Sequence, residues 1–176
     1  MKYLEPVQTV NLNRYGHDAI PWSVVVEAMG AGTPEAVLGT TRPDGRPHAA
    51  AVGSICVDGL WYVVSGPGTR KSRNLAANPA CTLFVKLPGI DVVFEGEAER
   101  ITDPEELERI VAVYRQGGWP AEVEGDAFTA PYSAPSAGPP PWNLYRITCR
   151  QAFGVGEGGA TKWVFDRQAP AAGKGA

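Results

Sequence analysis

From Ala36 onward the chain falls into short apolar-rich runs bounded by turn residues, the longest with rough apolar–polar alternation, and alternation marks a strand with one buried face. "AVLGTTR" (residues 36–42) opens the series. Pro43, Asp44 and Gly45 then form a turn, because proline fixes φ and glycine supplies a positive φ. "PHAAAVGSICV" (47–57) predicts a second strand. Asp58 and Gly59 predict a hairpin turn, and "LWYVVS" (60–65) a third strand. "CTLFVKL" and "IDVVFEGEAERI" follow, separated by a turn at Pro88 and Gly89. "WNLYRITCRQAFGV", bent at Arg150, and "ATKWVFD" complete the set. Six or seven strands joined mainly by short turns predict a mainly β fold, a small barrel rather than a βαβ sheet.

Two segments carry a helical period. Pro21 opens a helix to about Met29, weakened by its β-branched run at 24–26 and ended by Gly30 and Gly32. "TDPEELERIVAVYRQGG" is the stronger signal. Asp103 is its N-cap, Pro104 its first residue, and Glu106 completes a capping box. Leu107, Ile110, Val111 and Tyr114 fall on one face, which predicts burial. Residues 1–20 lack a period and read as an extended arm. Residues 119–141 hold too many prolines for a regular element and read as a loop. A loop that long is functional or disordered, and its aromatic content favours an ordered lid. The Ala/Gly-rich residues 167–176 read as a disordered tail. One domain, 21–166, is left.

Composition narrows the function. The chain has 176 residues, 44% hydrophobic, with a net charge of −3. A protein that grips nucleic acid non-specifically carries a basic surplus, so any anion binding here is local. Three well-separated cysteines and two histidines argue against a zinc site or a disulfide framework. The cysteines read as small buried hydrophobes in a reducing compartment. No run is apolar and long enough to span a membrane, and the first residues lack the apolar core of a signal peptide. The expectation is a cytoplasmic, soluble protein.

Charge is concentrated in "GPGTRKSRNLAANP" (66–79), which predicts a short helix over 72–78 entered from a glycine loop. Arg70, Lys71 and Arg73 crowd its start. The N-terminus of a helix is already electropositive, so each cation there costs about a few tenths of a kcal/mol. A bound phosphate, held by backbone N–H groups with Thr69 and Ser72 hydroxyls, would reverse that sign. A solvated basic turn with Ser72 as N-cap accounts for the same residues. The phosphate-loop pattern GxxxxGK[ST] and the dinucleotide pattern GxGxxG are both absent.

Weaker candidates are few. The strand "PHAAAVGSI" has little side chain on either face, which leaves room for a flat ring or for tight packing. Glu95, Glu97 and Glu99 alternate on one strand and read as an exposed face rather than an acid–base pair. His48, beside a turn, is a possible proton donor without an evident partner. Ser65 lacks any nucleophile context.

The order of these features resembles the pyridoxamine 5′-phosphate oxidase-like superfamily of flavin-binding split β-barrels. Two strands about a "DG" turn, a third ending in serine, the basic "TRKSRNLAANP" helix and "ACTLFV" carry the likeness. "FEGEAERITDPEE", "ATKWVF", "NLNRYGHDAIPWS" and "YSAPSAGPPPW" are similar to actinobacterial members. The resemblance covers about residues 10–166. It implies a homodimer of six-stranded barrels with FMN or the deazaflavin F420 at the subunit interface. It implies that Ser65, Thr69, Arg70, Lys71, Arg73 and Asn74 hold the phosphate end. It places the backbone of Ala50, Ala51 and Val52 against the ring, and has Lys162 and Trp163 reach the partner's cofactor.

The arginine-rich strand of true pyridoxamine phosphate oxidases is replaced here by "HAAAVGSI". That argues against vitamin B6 chemistry and looks more like F420-dependent reductases. The leading expectation is hydride transfer from reduced F420 to a small organic acceptor. An FMN enzyme on the same fold is the alternative, and a non-catalytic cofactor or haem carrier using His48 is the third. Trp119, Tyr132 and Trp142 are candidates for a substrate wall, and they serve equally to pack the loop. No catalytic residue and no metal ligand is assigned.

Overall fold

The computed structural model describes residues 4–30, 34–132 and 137–166. The tail, Gly32 and residues 133–136 of the proline-rich loop lie outside them. Strand β1 (Gln8–Asn11) and helix α1 (Trp22–Met29) come first. Then follow β2 (Glu35–Thr41), β3 (Pro47–Val52), β4 (Ser54–Val57), β5 (Leu60–Ser65) and helix α2 (Arg70–Ala77). Strands β6 (Ala80–Leu87) and β7 (Ile90–Ile101) precede helix α3 (Pro104–Gln116). A small hairpin of β8 (Glu122–Glu124) and β9 (Ala127–Thr129) leads to β10 (Asn143–Gly156) and β11 (Gly159–Val164). Every strand pair is antiparallel.

The predicted second strand is two strands. It pairs with β2 as far as Val52, breaks at Gly53, and from Ser54 pairs with β5 instead. Pairing then runs β4–β5–β10–β7–β6–β2–β3, and its ends meet covalently at Gly53. One kinked strand therefore closes a barrel of six. Strands β11 and β1 extend the far half of β10. The arm read as irregular thus contributes an edge strand.

Strand β10 makes this arrangement possible. One edge runs along β7; the other serves β5 over 143–147 and β11 over 151–156. At the change of partner the register with β7 slips between Cys149 and Gln151. Arg150 is the extra residue of a bulge, which bends a strand and sharpens its twist. Gly96 faces the bulge, and a Cβ there would collide with the Thr148 carbonyl.

Two cores share β5. Trp61 packs in the barrel with Leu38, Leu83, Val92, Phe94 and Trp163. The next residue, Tyr62, faces a second core under α3, with Leu107, Ile110, Phe128 and Trp142. A strand buried on both faces has no alternation, which explains the unbroken "LWYVV".

The expected face of α3 is buried, and Asp103 caps it by accepting from the Glu106 N–H at 2.9 Å. The capping box is half formed. The Glu106 carboxylate instead accepts from the Tyr62 hydroxyl at 2.7 Å and from Arg146 at 2.9 Å. The row of acids on β7 is paired across strands: Glu95 with Gln151, Glu97 with Arg150 and Glu99 with Arg146. They brace the sheet and are not free for acid–base work.

Among the described residues the three cysteines are free thiols, with Cys81 and Cys149 buried. Burial pushes Cys56 and Cys81 up to about 12 and raises Cys149. Burial, then the bond to Glu106, takes Tyr62 to about 12, and burial raises Tyr114. Unfolded thiols ionise at about 8.5 and phenols at about 10. The native chain keeps protons that the unfolded chain releases, so stability falls as pH rises past about 8.5. We expect the urea midpoint to drop steadily from about pH 8 to about pH 10.5, and a thiol reagent at about pH 8 to modify Cys81 and Cys149 only after denaturant is added. Replacing Gly96 by alanine should cost about 1–3 kcal/mol, the range for forced overpacking; an unchanged midpoint in urea would show that the bulge tolerates a side chain there.

Candidate functional site

Helix α2 starts two residues earlier than expected. Thr69, not Ser72, is the N-cap: its Oγ1 accepts from the Ser72 N–H at 3.3 Å. Thr69 also donates to the Ser72 hydroxyl at 3.1 Å, and the buried Ser65 hydroxyl lies 2.7 Å from it. Ser65 thus orients the cap. Arg70, Lys71 and Arg73 consequently stand within the first turn or just past it, with no acid among them.

These cations lie at two depths. Arg70 and Arg73 are exposed, whereas Lys71 is 4% exposed. Burial lowers the Lys71 pKa, since a charge in low dielectric is penalised. Leu75 seats the helix in the barrel core. Asn74, fully buried, donates to the Thr40 Oγ1 of β2 at 2.9 Å, while its Oδ1 has no hydrogen-bond partner among the described residues.

Through Thr40 the site acquires residues that the linear sequence did not group with it. The Thr40 hydroxyl lies 3.3 Å from His48 Nδ1 across the β2–β3 ladder. Arg42 follows at the end of β2. Its Nε is buried without a hydrogen-bond partner among the described residues. The His48 pKa is lowered, first by burial and then by the positive charges of Arg42, Lys71 and Arg70. The signal for this cluster was the "RPDGR" turn. Arg42 and Arg46 bond across it at 2.9 Å, and counting outward puts Thr40 opposite His48.

The small residues expected to face a ring lie on β3. On β3, Ala49 and Ala51 are exposed, Ala50 is half-buried and Val52 is buried. Among the described residues β3 pairs only with β2, so its other edge offers backbone donors and acceptors. A Cβ at Gly53 would meet nothing within 4 Å. Open space, not tight packing, surrounds the bend.

The remaining candidates separate. Successive strand residues point to opposite faces, and Lys162 and Trp163 obey this. Trp163 is fully buried against Trp22 at 5.3 Å, so its ring cannot reach a partner. Lys162 lies on the outer face, its Nζ 5.8 Å from the centre of the Phe153 ring. Trp142 is fully buried, with its Nε1 donating to the Gly138 carbonyl at 2.9 Å, and Trp119 stacks beside it at 5.4 Å. Both hold the loop against α3, so Trp142 offers no open wall. Tyr132 remains exposed. Far from structureless, the loop forms the β8–β9 hairpin, and its end reaches the site: the Gly66 N–H donates to the Ala137 carbonyl at 2.8 Å. Among the described residues no cluster of histidine, cysteine or carboxylates is arranged to hold a metal. No helix among them is long and apolar enough to cross a membrane.

Solved structures share this fold. A pyridoxamine 5′-phosphate oxidase-related, FMN binding protein from Nostoc punctiforme aligns with a TM-score of 0.58 at 17% identity, covering 85% of this chain and 92% of that one. A heme binding protein from Mycobacterium smegmatis aligns at 0.58 and 19% identity, over 78% of this chain and 55% of its own. A FAD-binding protein from Mesorhizobium loti aligns at 0.52 and 19% identity, over 88% and 96%. Identity at this level speaks for the fold alone. No curated protein matches the sequence. The family model for pyridoxamine 5′-phosphate oxidase matches residues 26–153, from α1 almost to the end of β10, and the chain belongs to that family.

Proposed function

We propose that the protein is a cofactor-dependent oxidoreductase that holds F420 by its phosphate-bearing tail at the start of α2, with FMN as the alternative occupant. The observation that carries this is the depth of the cations. Lys71 is buried beside the helix N-terminus, while Arg70 and Arg73 stay at the rim. One phosphate suits the inner position. A tail with further negative charge suits the outer two. When bound, such a cofactor supplies the hydride chemistry, and the protein supplies binding, orientation and a dry pocket. Thr69 and Ser72 add hydroxyls to the cradle. The free edge of β3 orients the ring, and its alanines leave one face open for an acceptor. The proton comes from bound water, a backbone donor or the exposed Tyr132 of the loop.

The outer sheet face supports a homodimer. Val37, Phe84, Val93 and Phe153 stand side by side across β2, β6, β7 and β10, all half-buried. Lys162 is next in that row. A second copy packed there would bring Lys162 to the partner. A groove of about 670 Å³, lined by Thr82, Glu95, Arg150 and Gln151 among others, opens on the same face.

Titration decides the cofactor. The colourless apo protein should quench F420 fluorescence at micromolar concentration and bind FMN more weakly; yellow protein as purified would reverse the order, and binding of neither would end the proposal. Reduced cofactor should be consumed by an acceptor, since binding without turnover of any acceptor indicates a carrier. Lys71→Ala or Arg73→Ala should weaken binding by about 1.5–3 kcal/mol with little change in Tm. A collapse of Tm with affinity intact would make the cluster structural. Phe153→Asp should sediment as a monomer and lose cofactor; a dimeric variant would move the interface elsewhere.

A further inference from the structure

The turn between β2 and β3 delivers two basic side chains to the side of the site opposite α2. Arg42 leaves the end of β2, and His48 enters at the start of β3. Thr40 lies between them and the helix. It receives a hydrogen bond from Asn74 Nδ2 at 2.9 Å and stands 3.3 Å from His48 Nδ1. A second acceptor for its hydroxyl, the His48 carbonyl, lies at 3.5 Å. Neutral His48 can therefore accept the Thr40 hydrogen at Nδ1. Protonated His48 can donate to the same oxygen while the hydroxyl turns to the carbonyl. Neither state needs a side chain to move.

Resting on the anion-site assignment, we propose that His48, with Arg42 beside it, forms the second wall of that site and takes up a proton from solvent when a phosphorylated cofactor binds. Three cations surround the imidazole: Arg42 from β2, and Arg70 and Lys71 from α2. The only carboxylate of the adjoining turn, Asp44, is already paired with Arg46. In the free protein those cations, together with partial burial, hold the His48 pKa below its usual value. A phosphate seated among them cancels much of their field. The imidazolium becomes favourable, and one N–H bond forms at the expense of a solvent proton. The His48 contribution to affinity then grows as pH falls through the neutral range, because the imidazole holds more proton in the complex than in the free protein. Asn74 Oδ1, buried without a hydrogen-bond partner among the described residues, belongs to the same Thr40-centred cluster.

The chain has two histidines, His17 and His48, so both imidazoles can be followed by NMR in the intact protein. We expect the His48 pKa to rise by at least about one unit when FMN, or separately F420, saturates the protein. Calorimetry in buffers of different ionisation enthalpy, at about pH 6.5, near the ordinary pKa of an imidazole, should show wild type taking up a measurable fraction of a proton more than His48→Gln. The comparison with the variant removes the opposite contribution of the phosphate, which releases protons in a cationic site in both proteins. An unmoved His48 pKa, or equal proton counts for wild type and variant, overturns the proposal. Lys71→Ala separates the two levels: if it weakens binding while His48 does not titrate, the anion site stands and the second wall does not; if it leaves binding unchanged, the site assignment itself fails and this proposal with it.

Discussion

The barrel depends on one edge of one strand doing two jobs. Strand β10 must close the ring through β5 and also carry the outlying pair β11 and β1. A straight strand cannot turn the same edge toward both. The bulge at Arg150 supplies the bend, and it does so only because Gly96 on β7 has no side chain to obstruct it. The second kink, at Gly53, lets a single segment serve both ends of the circuit. Two local irregularities, each one residue long, thus separate a closed barrel from an open sheet. Trp61, Phe94 and Trp163 fill the interior that they enclose.

Helix α2 is held against its own electrostatics. Cations at a helix start oppose the dipole by about a few tenths of a kcal/mol each, and Lys71 bears the further penalty of burial. What holds the helix is local: the Thr69 cap backed by Ser65, Leu75 in the core, and the Asn74–Thr40 bond to β2. The residual field is then available to whatever anion arrives, already oriented and partly desolvated.

Local chemistry made much of this legible. The boundaries of β7, the cap and buried face of α3, the opening of α1 at Pro21 and the turns at 43–45, 58–59 and 88–89 all followed from residues within a few positions of one another. The bend at Arg150 was visible in "TCRQ". The break at Gly53 was not, since β3 and β4 differ only in which distant strand each meets. β1 was missed because a strand paired on one edge needs no strict alternation. The hairpin inside 119–141 was hidden by the prolines that follow it. At the site, the cation cluster was readable, but its two depths were not: the helix had been placed to start at Ser72, which obscures the turn carrying Lys71 inward. Trp142 and Trp163 looked like ligands because aromatic residues near a loop or a chain end attract that reading. Burial reassigns both to packing.

Strand β3 has one partner and one bare edge, a template on which a stray chain can add itself. The protein leaves this edge open, yet makes it a poor host for strangers. Its alanines are weak strand formers with little surface to grip, and Pro47 at its start withholds a backbone donor. Arg42, at the end of β2, adds positive charge beside it. The austerity of "PHAAAV" is therefore a defence against aggregation as much as a berth for a flat ring, and a bulkier, stickier strand would trade solubility for nothing the fold requires.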